Sequence, residues 1–266
     1  MRNMFNDLLV LLCMVDLLVI FSNLILSAKA LIPHNSMVPV ILPWSEGLCH
    51  IALSASVFLT ITITTERYCA VSSPYTYKIK LTRRGYWRSI SYYVVPVIMA
   101  AVILNIPKIL QISKLLTPLF RDHKKHFIRA GIIYQIFHPL LTTCMIPIIF
   151  LSILNYNVIK ISKQRLSSFT RMASEVNMAK IMITIVLLFI LLNLPRMFLA
   201  LYEVSTIPNV LDCYERSCRY HISSKRWLLD CLIRYLVMIN SSINFIVYCF
   251  MGSNFRRTLK NLIGME

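Results

Sequence analysis

Glycine is scarce, at five in 266 residues, and so is charge: 15% of residues are charged, with eleven acids against 28 Lys and Arg. No HExxH, GxSxG or Walker pattern is present, so metalloprotease, serine-hydrolase and nucleotide-hydrolysing chemistries have no support and no enzyme is expected. A six-span transporter or channel would carry inverted repeats or glycine-rich broken helices, and neither is evident. The shortage of charge, with 57% apolar residues and a mean hydropathy of +0.66, is too extreme for an ordinary soluble domain of this size.

What is present is a series of six apolar runs, at residues 5–27, 46–69, 90–112, 136–159, 178–202 and 227–250. Each has the roughly twenty residues that a bilayer core of ~30 Å requires. They predict an all-α fold, a multi-span membrane helix bundle forming one domain over residues 1–266. Pro96, Pro107, Pro139, Pro147 and Pro195 lie inside the runs and are compatible with helices in a bundle. The first run is expected to be a span rather than a signal peptide, because Asp16 interrupts it and no small-residue cleavage pattern follows.

The formal net charge of +17 sits in short clusters between the apolar runs. Topology and contact with lipid head groups explain that placement better than nucleic acid does. Basic residues such as Lys78, Lys80, Arg83, Arg84 and Arg88 favour an inside N-terminus, and six spans would return both ends to the cytoplasm. Phe255, Leu259, Leu262 and Ile263 recur at helical spacing opposite Arg256, Arg257 and Lys260, which predicts an interfacial helix over about 252–263.

The run 53–68, LSASVFLTITITTERY, is uncharged until Glu66 and Arg67. An arginine there is costly in lipid, so it should face the protein interior or the aqueous boundary and have a partner; snorkelling to head groups is the alternative.

Several of these residues resemble a known family. Glu66-Arg67-Tyr68 matches the D/E-R-Y motif of rhodopsin-like (class A) G-protein-coupled receptors, and Asn244 to Tyr248 is similar to their NPxxY motif with Phe245 in place of proline. Asp16 in LLCMVDLLV resembles their second helix and Pro195 in LLNLPR the proline of their sixth. Within that family, SVFLTITITTERYCAV, NLPRMFLALYE and NSSINFIVYCFMGSNFRR look most like invertebrate FMRFamide-type neuropeptide receptors. Asp16 in a second helix would leave the first of seven unaccounted for, pointing to an upstream start, a fragment or a truncated product that folds poorly.

The resemblance implies a plasma-membrane receptor for an extracellular neuropeptide, coupled to a heterotrimeric G protein. Glu66, Arg67, Tyr68, Glu175, Phe189, Pro195, Asn244 and Tyr248 would form its switch, with Glu175 locking Arg67 in the inactive state or simply favouring its helix N-terminus. Asp16 needs polar company in mid-membrane, and Ser56, Asn240, Ser241 and Asn244 are the candidates. In the family this group holds a sodium ion; a hydrogen-bonded or protonated Asp16 without an ion is the alternative, and no other cofactor is expected. The outer half would bind the ligand through Trp44, His50, His138, Thr142, Arg196, Glu203, Arg234 and Tyr235. An internal Glu203 to Arg234 ion pair competes with that role.

Departures from the family pattern are equally plain. Asn193 stands where the sixth helix usually has tryptophan, although Phe189 is kept, and Asn155 stands near an expected tyrosine. The usual disulfide has neither half: the helix-end position is Leu42, and 112–135 contains no cysteine. Cys49 is expected as a buried free thiol, and Cys213 and Cys218 as a possible disulfide, with two free thiols as the alternative. The second outer loop (Arg121, Lys124, Lys125 and Arg129 against Asp122) would repel a cationic peptide and favours an acidic one. The last run has no lysine for a retinal Schiff base, which leaves a non-signalling receptor remnant as the main alternative, with the transporter or channel behind it.

Overall fold

The computed structural model describes residues 4–28, 38–112, 124–165, 172–215 and 224–251, and all its elements are helical. They are α1 (Met4–Ala28), α2 (Val38–Ser72), α3 (Pro74–Arg84), α4 (Tyr86–Ile112), α5 (Lys124–Pro139), a π-helical segment (Leu140–Met145) running into α6 (Ile146–Arg165), α7 (Met172–Glu215) and α8 (Ser224–Met251). Among the described residues five helices are long and apolar enough to cross a membrane, over Met4–Ser27, Trp44–Ser72, Tyr86–Ile109, Ile136–Ile161 and Ile183–Asn209. The expected sixth run falls on α8. The expected interfacial helix at 252–263 lies outside the described residues.

Helix α2 is the central post, packing against α1, α4 and α6. Its spanning window is 67% buried, against 22–39% for the other four. This is the helix with the β-branched TITITT run, which would disfavour helix in water. Here Thr60, Thr62, Thr64 and Thr65 each donate to the carbonyl four residues back, at 2.8–3.0 Å. The hydroxyls are thereby satisfied within the helix, and no polar group is stranded in an apolar surrounding.

The packing is inverted relative to a soluble domain. Asp16, Asn23, Ser54, Ser56, Asn105, Asn193 and Asn244 are buried, while Met14, Leu17, Phe21, Ile98, Ile103, Ile149, Leu187 and Phe198 are exposed. An apolar outer belt costs nothing in lipid, whereas inward polar groups pair between helices. Asn105 on α4 donates to Ser54 Oγ on α2 at 3.0 Å, and Asn23 on α1 donates to Cys49 Sγ on α2 at 3.2 Å. The chain is thus a multi-pass membrane protein.

Leu8, Leu9 and Leu12 of α1 meet Leu59 and Ile63 of α2 in the main apolar cluster, joined by Val97, Ile185 and Val247. Leu12→Ala should cost about 2–5 kcal/mol through lost contacts and a residual cavity. Leu17→Ala, on the lipid side of the same helix, should change stability by less than about 0.5 kcal/mol. Thermal unfolding of both variants in lipid nanodiscs checks the contrast, and equal losses would refute this packing.

Three local features were not foreseen. The inner connection expected as a basic loop forms α3, with Pro74 at its first turn and Gly85 (φ 78°) ending it, a backbone conformation that favours glycine. Helix α7 runs for 44 residues, about 66 Å at 1.5 Å per residue, so it projects well beyond the bilayer. The π-helical segment precedes Pro147, which has no N–H to give the Thr143 carbonyl; Ile146 N–H reaches back five residues to the Leu141 carbonyl and widens the turn.

Candidate functional site

Polar groups occupy three levels along the axis of α2. Near its C-terminal end, expected to face inward, Glu66 is 1% exposed and its Oε2 lies 3.0 Å from Arg67 Nε. The two are close enough for an ion pair, yet Nε–H is not directed at the carboxylate as a hydrogen bond. Glu66 Oε1 accepts from the Tyr77 hydroxyl of α3. Burial first, and then the adjacent Glu66 carboxylate, push the Tyr77 phenol above its ordinary range, so it stays a donor at neutral pH. The Arg67 guanidinium lies over the Phe5 ring of α1, 3.6 Å from its centroid, a cation–π contact.

Arg67 therefore faces the protein interior with a partner, as its sequence position required. Tyr77 was missed by sequence reasoning. Its only signal is its place on the short helix opened by Pro74, because the side it presents is set by how α3 folds back. A cavity of about 600 Å³, lined by Met4, Thr65, Cys69, Ser72, Tyr77 and Lys80 among others, adjoins it and leaves the ring room to move. Tyr68 is half-buried. Glu175 and Tyr248 lie on α7 and α8, but their side chains fall outside the described residues.

At mid-depth Asp16 is 3% exposed. Ser56 of α2 donates to its Oδ1 at 2.6 Å and Asn244 of α8 donates to its Oδ2 at 3.1 Å, so one carboxylate joins three helices. Ser241 lies beside the same carboxylate, but its Oγ does not meet hydrogen-bond geometry. Ser241 Oγ and Asn240 Oδ1 are buried with no hydrogen-bond partner among the described residues. Carboxylate, hydroxyl and amide oxygens with spare lone pairs form a donor set that fits a hard cation such as sodium. Next to this level, Phe189 packs against Val57, Leu151 and Val186, while Asn193 donates to the Phe189 carbonyl at 2.8 Å. The polar residue in the tryptophan position is thus satisfied within α7, beside Pro195.

The level nearest the N-terminal half of α2, expected to face outward, is cationic. Lys108 Nζ of α4 lies 3.5 Å from His50 Nδ1 of α2, and His50 Nε2 lies 4.0 Å from Glu46 Oε1. Arg196 and Arg234 are both within electrostatic range of Lys108 and of His50. Arg196 Nη1 and His138 Nε2 are buried and have no hydrogen-bond partner among the described residues. The His138 ring stacks on Tyr134, with centroids 4.9 Å apart, and Thr142 donates to the His138 carbonyl at 2.6 Å.

Of the expected ligand residues, His50, His138, Thr142 and Arg196 line this end, and Arg234 acts on it although largely exposed. Glu203 is half-buried and engaged in an interaction. Trp44 and Tyr235 are 67% and 60% exposed and are not gathered in. Lys108 was overlooked, although a lysine following Pro107 within an apolar run was the available signal. Cys49 is a buried free thiol. Cys213 is disulfide-bonded, and Cys218 lies outside the described residues.

No protein-family model matches the chain. It is 28% identical over 282 aligned positions to the FMRFamide receptor of Drosophila melanogaster, in an alignment taking in 97% of this chain and 47% of that protein. The chain thus spans about half the length of the curated relative it matches.

Proposed function

We propose that this chain forms the membrane core of a rhodopsin-like G-protein-coupled receptor for an extracellular neuropeptide, acting at the plasma membrane by binding and shape change rather than by catalysis. The observation that carries the reading is the buried Glu66–Arg67 pair at the inner end of the central helix, held by Tyr77 from α3. Similarity to a receptor named for a peptide supports the ligand class. Unbroken spanning helices among the described residues, apart from the π-helical turn, give no support to a transporter built on discontinuous helices.

In this reading, peptide enters the cationic outer end and contacts α7 near Arg196. Motion of α7 about Pro195 changes packing at Phe189 and around Asp16, where a sodium ion would favour the resting arrangement. At the inner end Tyr77 leaves Glu66, and Arg67, released from the carboxylate and the Phe5 ring, is free to meet a G protein. Glu175 on α7 is a further resting-state partner for Arg67. A Cys213–Cys218 disulfide would restrain the outer connection between α7 and α8.

The test is peptide-stimulated nucleotide exchange on purified heterotrimeric G proteins by the chain in nanodiscs, over a panel of amidated and free-acid neuropeptides. At least one peptide should accelerate exchange. Arg67→Ala should reduce the stimulated rate at least about tenfold, a loss of roughly 1.4 kcal/mol in coupling, while leaving peptide affinity within about threefold. Lack of stimulation by every peptide with every G-protein class would refute the receptor reading.

A further inference from the structure

We propose that the outer end of the bundle is an anion-recognition site in which Lys108 and Arg196 bind the carboxylate of a peptide ligand. The inference deepens the receptor reading and rests on it only in taking the outer end as the entrance for ligand.

The two cations come from different helices, α4 and α7, and lie within electrostatic range of each other and of His50 on α2. Neither has an ion-pair partner among the described residues. Lys108 meets the His50 imidazole at 3.5 Å, while Arg196 presents a buried Nη1 with no acceptor. Glu46 acts electrostatically on Lys108, but it also faces His50 across 4.0 Å and is partly exposed. A third positive group, Arg234, acts on the same place.

A buried guanidinium nitrogen without an acceptor is unfavourable, and like charges held close add to the cost. Proteins retain such an arrangement where something else supplies the missing negative charge. Arginine matches a carboxylate in plane with two parallel donors, and an ammonium beside it adds a point charge. The buried His138 Nε2, also without a partner, and the Tyr134 ring stacked on His138 provide a polar atom and an aromatic wall next to that anion. Expected in the second outer loop, Lys124, Lys125 and Arg129 instead open helix α5; with Arg121 against Asp122, their balance draws acidic rather than cationic peptides toward the entrance.

The chemistry selects among ligand classes. A free C-terminal carboxylate or an acidic side chain satisfies the site, whereas a C-terminal amide leaves both cations unpaired. A lipid phosphate offers similar charge, so the experiment separates the two sources.

The purified chain in a phosphate-free maltoside detergent is unfolded thermally with N-acetylphenylalanine, N-acetylphenylalaninamide or glycerophosphocholine, each up to about 10 mM. Fragments of this size bind in the millimolar range. The carboxylate should raise Tm saturably by several degrees, and the amide and the phosphodiester should not. Lys108→Gln and Arg196→Gln should each abolish the shift while leaving the ligand-free Tm unchanged or higher, because each removes an unpaired cation. Equal shifts with acid and amide, no shift with the acid at 10 mM, or a larger shift with glycerophosphocholine would each overturn the proposal. The wild-type comparison of acid with amide stands even if a variant fails to fold. The readout needs no G protein. A carboxylate shift without stimulated nucleotide exchange therefore keeps the anion site and removes the receptor, and exchange driven best by amidated peptides does the reverse.

Discussion

Glu66→Ala should destabilise the chain by about 3–5 kcal/mol, because it leaves the Arg67 guanidinium buried and unpaired. Glu66 is 1% exposed and answers two groups at once, the Arg67 Nε at 3.0 Å and the Tyr77 hydroxyl. Without it, Arg67 keeps the Phe5 ring at 3.6 Å, and a cation–π contact recovers only about 0.5–2 kcal/mol. Tyr77 loses its acceptor as well, although Leu81 still packs α3 against the main apolar cluster.

Glu66→Gln should be milder, since the amide oxygen can still accept from Tyr77 while the charge is lost. A double-mutant cycle with Tyr77→Phe separates these parts: the Glu66–Tyr77 coupling should come to about 1.5–3 kcal/mol, as for a hydrogen bond to a charged group. Unfolding in nanodiscs supplies the numbers. A Glu66→Ala cost below about 1 kcal/mol would show that Arg67 finds other company, and the inner pair would then be incidental.

Asp16→Ala should cost about 2–5 kcal/mol. Two buried donors, Ser56 Oγ and Asn244 Nδ2, lose their acceptor together, and each orphaned group costs about 1–3 kcal/mol. The loss falls on the joint between α1, α2 and α8, so α8 should show the earliest increase in hydrogen exchange. Asp16→Asn keeps the volume and one acceptor oxygen and should cost less.

If the neighbouring oxygens hold sodium, wild-type Tm should rise when sodium replaces potassium at constant ionic strength, and Asp16→Asn should not respond. At a sodium concentration about tenfold above Kd the stabilisation is about 1.4 kcal/mol by mass action. Identical wild-type melting in the two salts would remove the ion from the account and leave Asp16 as a hydrogen-bonded joint.

Much of the fold was legible because the membrane imposes a simple length rule. The apolar runs had to be helices of about twenty residues, since no other element with free ends satisfies its backbone in lipid. Asp16 and the Glu66–Arg67 pair were legible for the same reason, being costly there unless partnered. The run TITITT shows the limit of propensity: its β-branched residues argue for strand in water, but in the bundle each hydroxyl bonds back to its own helix.

Other features depended on relations between helices. The π-helical turn before Pro147 has a sequence cause, yet how the freed carbonyls are re-satisfied is settled by the backbone as packed. Trp44 and Tyr235 had the chemistry of ligand contacts but lie on exposed faces, while Lys108, which the sequence did not single out, sits beside His50.

The sequence by itself determined that this is a helical membrane bundle and which buried charges must find partners. Each of these follows from the solvation cost of single groups and of the chain's own backbone. Only the tertiary structure decided that Tyr77 answers Glu66, that of the four candidates Ser56 and Asn244 bond Asp16, and that Lys108 lies beside His50 within electrostatic range of Arg196. Helical periodicity places a residue on a face of its own helix; which faces meet is decided by the packing of all the helices together.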